Sequence, residues 1–237
     1  MFAGPNGSGK STLFTKLPPE LVGIYLNPDE IEQFIRKTGV LDPKTYGVNA
    51  APEDILQFLR ESPFLRSVGL ESEIARLIVR DGTLGFEHVA ANGYLASVIS
   101  DFLRHRLLQT RQSFTFETVM SSPDKVDFLA KAQKAGCRTY LYYIATEDPI
   151  INQSRVEARV NRGGHPVPED KIASRYHRSL GLLPGAIRNS NRAYIFDNSG
   201  DKVVHTWLAE ITDGKTLVMK SEQIPSWFKR AVLDRMA

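Results

Sequence analysis

Residues 1–12 read MFAGPNGSGKST, and this stretch decides the fold. Gly4, four residues, then Gly9, Lys10 and Ser11 match the phosphate-binding loop spacing G-x-x-x-x-G-K-[ST], set between a short apolar strand and the helical run STLFTKL. Glycine at three of the loop positions lets successive backbone N–H groups turn inward and form an anion nest. Lys10 can then reach the β- and γ-phosphates, Ser11 can offer its hydroxyl to Mg²⁺, and the helix beginning near Ser11 aims its positive end at the same point. The candidate ATP-binding residues are therefore Gly4, Pro5, Asn6, Gly7, Ser8, Gly9, Lys10, Ser11 and Thr12, with Ser11 as the Mg²⁺ ligand. Only Met1, Phe2 and Ala3 precede Gly4, which is short for the central strand of such a fold and leaves open a natural start upstream of Met1.

Outward from the loop, apolar runs at GIYLN (23–27), SFTFETV (113–119), RTYLYYIAT (138–146) and RAYIFDNS (192–199) alternate with helical patterns, the signature of βαβ units around a parallel sheet. The fold class is α/β: a P-loop kinase-like three-layer fold with a mainly parallel sheet. Pro28, Pro123 and Pro149 stand at first helical positions, with Asn27, Ser122 and Asp148 before them as N-caps. VVHTWLAEITDGKTLVMK (203–220) reads as an antiparallel hairpin about a TDGK turn, and PSWFKRAVLDRM (225–236) as a closing amphipathic helix. Residues 42–110 read as helices throughout, an insertion that shapes a substrate pocket or serves as a structural cap. The chain is read as one domain, 1–237, with the insertion at about 42–110 and the hairpin plus helix at about 201–237.

Thirty Lys and Arg against twenty-seven Asp and Glu give a formal charge of +3, too small to mark a nucleic-acid binder; phosphorylated small molecules are the expected partners. A single cysteine, Cys137, excludes an intramolecular disulfide and points to a reducing cytoplasm. There is no run of eighteen apolar residues, so no membrane span is expected. Five scattered histidines and one cysteine form no metal-ligand pattern.

Ligands of open α/β sheets sit beyond the carboxyl ends of the strands, which singles out the residues just after each apolar run. Asp29 falls in the first turn of a helix, where it can take the proton of an acceptor hydroxyl or simply complement the helix dipole. Glu117 and Thr118 end an aromatic strand and are candidate substrate contacts. Arg155, Arg159 and Arg162 share one helix face that runs into GGHPVPED (163–170), a lid pattern suited to stabilising charge on a transferring phosphoryl group; a solvated face is the bland alternative. Arg175 and Arg178 come on the next helix, His165 is a lid contact or a loop residue, and Asp197 reads as a turn residue.

In order along the chain, GPNGSGKST (4–12), NPDEI (27–31), FETVMS (116–121), YLYYIATEDP (140–149), RVEARVNRGGHPVPEDKIASRYHRSL (155–180) and AYIFDNS (193–199) resemble the zeta toxin family of P-loop kinases. They are most similar to its branch described as predicted ABC-type ATPases. The resemblance implies an ATP- and Mg²⁺-dependent phosphotransferase whose acceptor is a hydroxyl of UDP-N-acetylglucosamine or a related sugar nucleotide, held in check by a small helical antitoxin. It implies Lys10 and Ser11 on ATP and Mg²⁺, Asp29 as catalytic base, Glu117 and Thr118 on the substrate, and Arg159 and Arg162 as lid arginines. Where the family carries E-G-T-G this chain has Glu117-Thr118-Val119-Met120, and both the GGHPVPE turn and the helical insertion depart from the pattern, all around the acceptor pocket. A P-loop hydrolase or switch, which would position a water instead of an acceptor, and a non-enzymatic module, which would tolerate substitution at Asp29, are the rival readings.

Overall fold

A computed structural model describes residues 1–163, 167–200 and 205–236. The chain forms two compact units, Met1–Leu17 with Glu117–Ala237, and Pro18–Phe116.

In the first unit the strand before the loop, β1 (Phe2–Ala3), lies between two parallel neighbours. Strands are numbered in chain order: β2 (Ile24–Leu26), β3 (Val40–Leu41), β4 (Ile78–Arg80), β5 (Thr83–Gly85), β6 (Phe114–Thr118), β7 (Tyr140–Ala145), β8 (Arg192–Asp197), β9 (Thr206–Thr212) and β10 (Thr216–Met219). On one side Phe2 pairs with Tyr142 of β7; on the other it pairs with Glu117, at the carboxyl end of β6. β8 runs parallel to β7, and β9 and β10 close that edge as the antiparallel hairpin expected about TDGK. Phe2, Leu141, Ile144 and Ile195 are at most 1% exposed, as a parallel sheet covered on both faces requires. Phe2 stacks on Tyr142 at 4.8 Å between ring centroids and meets Phe14 edge-on at 5.5 Å, which fixes the strand leading into the loop.

The helices of this unit are α1 (Lys10–Phe14), α7 (Asp124–Lys134), α8 (Pro149–Val160) and α9 (Glu169–Arg188), with α2 to α6 in the second unit. Asp148 caps α8 by accepting from Ile150 N–H with Pro149 at the first position, as the sequence predicts. At α7 the prediction is off by one: Pro123 is itself the N-cap, and Ser122 turns its hydroxyl to the Asp124 carboxylate instead of to a backbone N–H. The closing helix is three short pieces, Ser226–Phe228, a π-helical Lys229–Leu233 and Asp234–Met236, whose Trp227 and Phe228 are fully buried.

In the second unit β2 runs parallel to Phe114–Phe116 of β6. α2 (Pro28–Thr38) begins at Pro28 with Asn27 accepting from Asp29 N–H, again as predicted, and packs on α6 (Gly93–Gln109). Between them come α3 (Pro52–Glu61), α4 (Pro63–Ser67) and α5 (Glu71–Ala75). The expectation of helices throughout 42–110 is corrected here. ESEIARLIVR leaves the helix after Ala75 and becomes β4, which turns back through Asp81 and Gly82 into β5, with β3 on β5's other edge. The cause is local: Asp81 and Gly82 have φ of 49° and 74°, the mirror-image turn that a hairpin favours, and Ile78 and Val79 are β-branched. Among the described residues no helix is long and apolar enough to cross a membrane.

Candidate active site

The loop after β1 is built to present backbone N–H groups. Gly7 and Gly9 have φ of 74° and 95°, a conformation costly for any residue with a Cβ. Space forbids one as well: a Cβ on Gly7 would lie 2.6 Å from the Asn152 carbonyl oxygen, and one on Gly9 would lie 2.4 Å from Asn198 Nδ2. Lys10, 7% exposed, donates from Nζ to the Gly4 and Pro5 carbonyls at 2.9 and 3.0 Å, so its ammonium sits over the mouth of the loop.

The strand register then brings in Glu117. Its carboxylate accepts from the Ser11 hydroxyl at 3.2 Å through Oε2 and lies 3.9 Å from Lys10 Nζ through Oε1. A buried ammonium, a hydroxyl and a carboxylate thus converge at the first turn of α1. The Ser11 hydroxyl and the Glu117 carboxylate are the hard oxygen donors that Mg²⁺ prefers; an ion that keeps several waters and phosphate oxygens needs no more from the protein, so these residues fit Mg²⁺. Among the described residues no group of three or more His, Cys, Asp or Glu could hold a metal ion. Thr118 lies beside Glu117; its carbonyl accepts from Gly4 N–H at the start of the phosphate loop, and its hydroxyl accepts from Met120 N–H, where φ is 52°, in the turn after β6.

The carbonyls that a phosphate loop must turn away from its ligand are taken up by three side chains that sequence reasoning does not single out. Asn152 Nδ2 donates to Asn6 O at 2.5 Å, Asn198 Nδ2 to Ser8 O at 2.8 Å, and His205 Nε2–H to Gly9 O at 3.0 Å. Burial holds the His205 imidazole below its ordinary pKa of 6.5, and the positive charges of Lys16 and Arg155 push the same way, partly opposed by the bond to Gly9.

The arginine stripe divides. Arg155 is a structural tie, donating from Nη1 to Asn198 O at 2.7 Å and from Nη2 to Gly200 O at 2.8 Å. Arg159, half-buried, lies in the last turn of α8, and Arg162 just beyond it is exposed with Nε folded onto Ala158 O at 3.0 Å. Arg175 and Arg178 lie on α9. The Asp197 carboxylate accepts from Ser199 N–H, the Ser199 hydroxyl and Trp227 Nε1, the turn role that the sequence suggests. Asp29 belongs to the second unit, with an exposed side chain in the first turn of α2. His165 lies outside the described residues.

Comparison with known proteins fits this geometry. Residues 95–206 match the profile of the zeta toxin family. The match leaves residues 1–94, the phosphate loop among them, outside the profile. The matched segment runs from α6 to the start of β9 and includes Glu117, Asn152, Arg159, Asn198 and His205. An uncharacterized protein of Haemophilus influenzae is 31% identical over 74 residues, spanning 31% of this chain and 53% of that protein. Among solved structures, the AvrRxo1-ORF1:AvrRxo1-ORF2 complex with sulphate ions aligns over 93% of this chain at a TM-score of 0.54 and 15% identity. The same complex with ATP aligns over 92% at a TM-score of 0.51 and 14% identity. This chain spans 60% of the length of the chain it matches in each of those structures, and the likeness is one of fold.

Proposed function

We propose that this protein is a member of the zeta toxin family and a cytoplasmic, ATP- and Mg²⁺-dependent kinase that transfers the γ-phosphoryl group to a hydroxyl of a small molecule, UDP-N-acetylglucosamine or a related sugar nucleotide. The observation that carries the reading is the convergence of Lys10 Nζ, the Ser11 hydroxyl and the Glu117 carboxylate at a loop whose outward carbonyls are already bonded. Loop N–H groups and Lys10 hold the β- and γ-phosphates. Ser11 and Glu117 hold Mg²⁺, which when bound offsets charge on the phosphate oxygens. Asp29 takes the proton of the acceptor hydroxyl as its oxygen bonds to the γ-phosphorus; the bond from that phosphorus to the bridging oxygen breaks, and ADP leaves with the electron pair. Arg159 and Arg162 stabilise charge on the transferring group. Glu117, Thr118 and His165 make the acceptor contacts in this reading.

Solved structures that share this fold include AvrRxo1-ORF1:AvrRxo1-ORF2 complexes, which supports a small partner protein acting as antitoxin. The test incubates the protein with Mg·ATP and a metabolite extract and looks by mass spectrometry for species heavier by one phosphoryl group. Phosphorylated UDP-N-acetylglucosamine supports the whole reading. A different phosphorylated metabolite replaces the acceptor, and ADP formed equally with and without extract makes the protein a hydrolase.

A further inference from the structure

Helix α8 does two things that the sequence keeps apart. Its first turns grip the phosphate loop: Asn152, fully buried, donates from Nδ2 to Asn6 O at 2.5 Å, and its carbonyl packs where a Cβ on Gly7 would stand. The same side chain accepts through Oδ1 from the Thr146 hydroxyl at the end of β7, so both ends of the amide are engaged and its orientation is fixed. The last turn of α8 carries Arg159. Seven residues are nearly two full turns, so Arg159 lies on the same face as Asn152, about 10 Å further along the axis. Arg155, between them, ties α8 to the Asn198 and Gly200 carbonyls, and Asn198 itself holds Ser8 of the loop.

We propose that Asn152 is a positioning residue that sets the register of Arg159 against the phosphate loop, so that the loop and the arginine address one triphosphate as a rigid pair. The proposal rests on the nucleotide reading of the loop. A helix is stiff over two turns, so the place where the amide fastens its N-terminal end fixes where the guanidinium at the other end stands. The Thr146 bond prevents the amide from flipping, which would set its Oδ1 against the Asn6 carbonyl. A purely structural asparagine would stabilise the unit without coupling to a residue two turns away.

The test is a double-mutant cycle on Mg·ATP affinity, read by calorimetry and independent of any acceptor. Wild type, Asn152→Ala, Arg159→Ala and the double variant are compared, with Asn152→Leu as the volume-matched control and Lys10→Ala as the reference for a disabled loop. Asn152→Ala and Asn152→Leu are both expected to weaken ATP binding about tenfold. Arg159→Ala is expected to cost several-fold in wild type but less than twofold on top of Asn152→Ala, because the arginine has already lost its register. Recovery of wild-type affinity in Asn152→Leu would reduce the residue to packing, and additive losses in the double variant would break the link to Arg159; either overturns the proposal. If Lys10→Ala binds ATP as wild type does, the nucleotide reading itself falls and this proposal falls with it, a result distinguishable from the other two.

Discussion

Replacing Lys10 with methionine removes the ammonium but keeps most of the chain length, so packing along the buried stem is preserved. Without nucleotide, Nζ holds the Gly4 and Pro5 carbonyls at 2.9 and 3.0 Å. To serve ATP it must exchange these two neutral acceptors for charged phosphate oxygens, and the difference is what binding gains. Two charge-assisted bonds at the strong end of the range, about 3 kcal/mol each, less two at the weak end, about 1.5 kcal/mol each, leave about 3 kcal/mol. That is about a hundredfold in Kd. Calorimetry of Lys10→Met with Mg·ATP should therefore give a dissociation constant raised about a hundredfold, while the melting temperature without ligand falls by only a few degrees as two carbonyls and the Glu117 carboxylate lose a neighbour. A Kd within about threefold of wild type in a folded variant would refute the exchange argument and the assignment of Lys10 to the phosphates.

Asp29→Asn keeps shape and hydrogen bonding but cannot take a proton, so phosphoryl transfer should fall by about two to four powers of ten with ATP affinity unchanged; wild-type turnover would remove Asp29 from the chemistry. Gly7→Ala meets both a φ of 74° and a carbonyl oxygen 2.6 Å from its new Cβ, so the loop or α8 must shift and ATP affinity should drop at least about tenfold; calorimetry showing intact affinity would mean that α8 does not press on the loop. His205 has a native pKa below its ordinary 6.5, so in the window between the two values unfolding takes up a proton and stability falls as the pH drops. His205→Gln keeps an N–H for Gly9 but does not titrate, so its melting temperature should fall less than that of wild type between pH 7.5 and 5.5; equal losses would show that the imidazole is not held neutral.

The parts of the site legible in the sequence are those written locally. The loop spacing, the Asn27 and Asp148 caps and the apolar strand runs each need only a few adjacent residues to be recognised. Glu117 is legible as the polar end of a strand, but its place beside Ser11 depends on β6 lying next to β1, which no spacing reveals. The grips on the loop are invisible for the same reason. Asn152, Asn198 and His205 lie 146, 190 and 196 residues from the carbonyls they hold, and an asparagine in a first helical turn or after a strand, or a histidine before one, looks like any polar residue at such a place. Helical period groups Arg155 with Arg159, yet a shared face does not say what each guanidinium meets, and Arg155 meets backbone carbonyls. The β4–β5 hairpin is legible in Asp81-Gly82, a strong turn signal masked by the helical period of the residues before it.

The first unit is discontinuous, with residues 18–116 intervening between its opening segment and the rest. On a ribosome that order matters. The loop segment is made before the rest of the unit, but β1 lacks its parallel neighbours until Glu117 and Tyr142 have been made, and the Gly9 carbonyl, which also accepts from Leu13 N–H, lacks the bond from His205 until that residue emerges. At about 5–20 residues per second, the loop residues wait on the order of ten to forty seconds for the last of these contacts. For that interval the nascent chain carries the phosphate-binding sequence without the phosphate-binding structure, so competence for nucleotide waits on residues made as many as 196 positions after the loop.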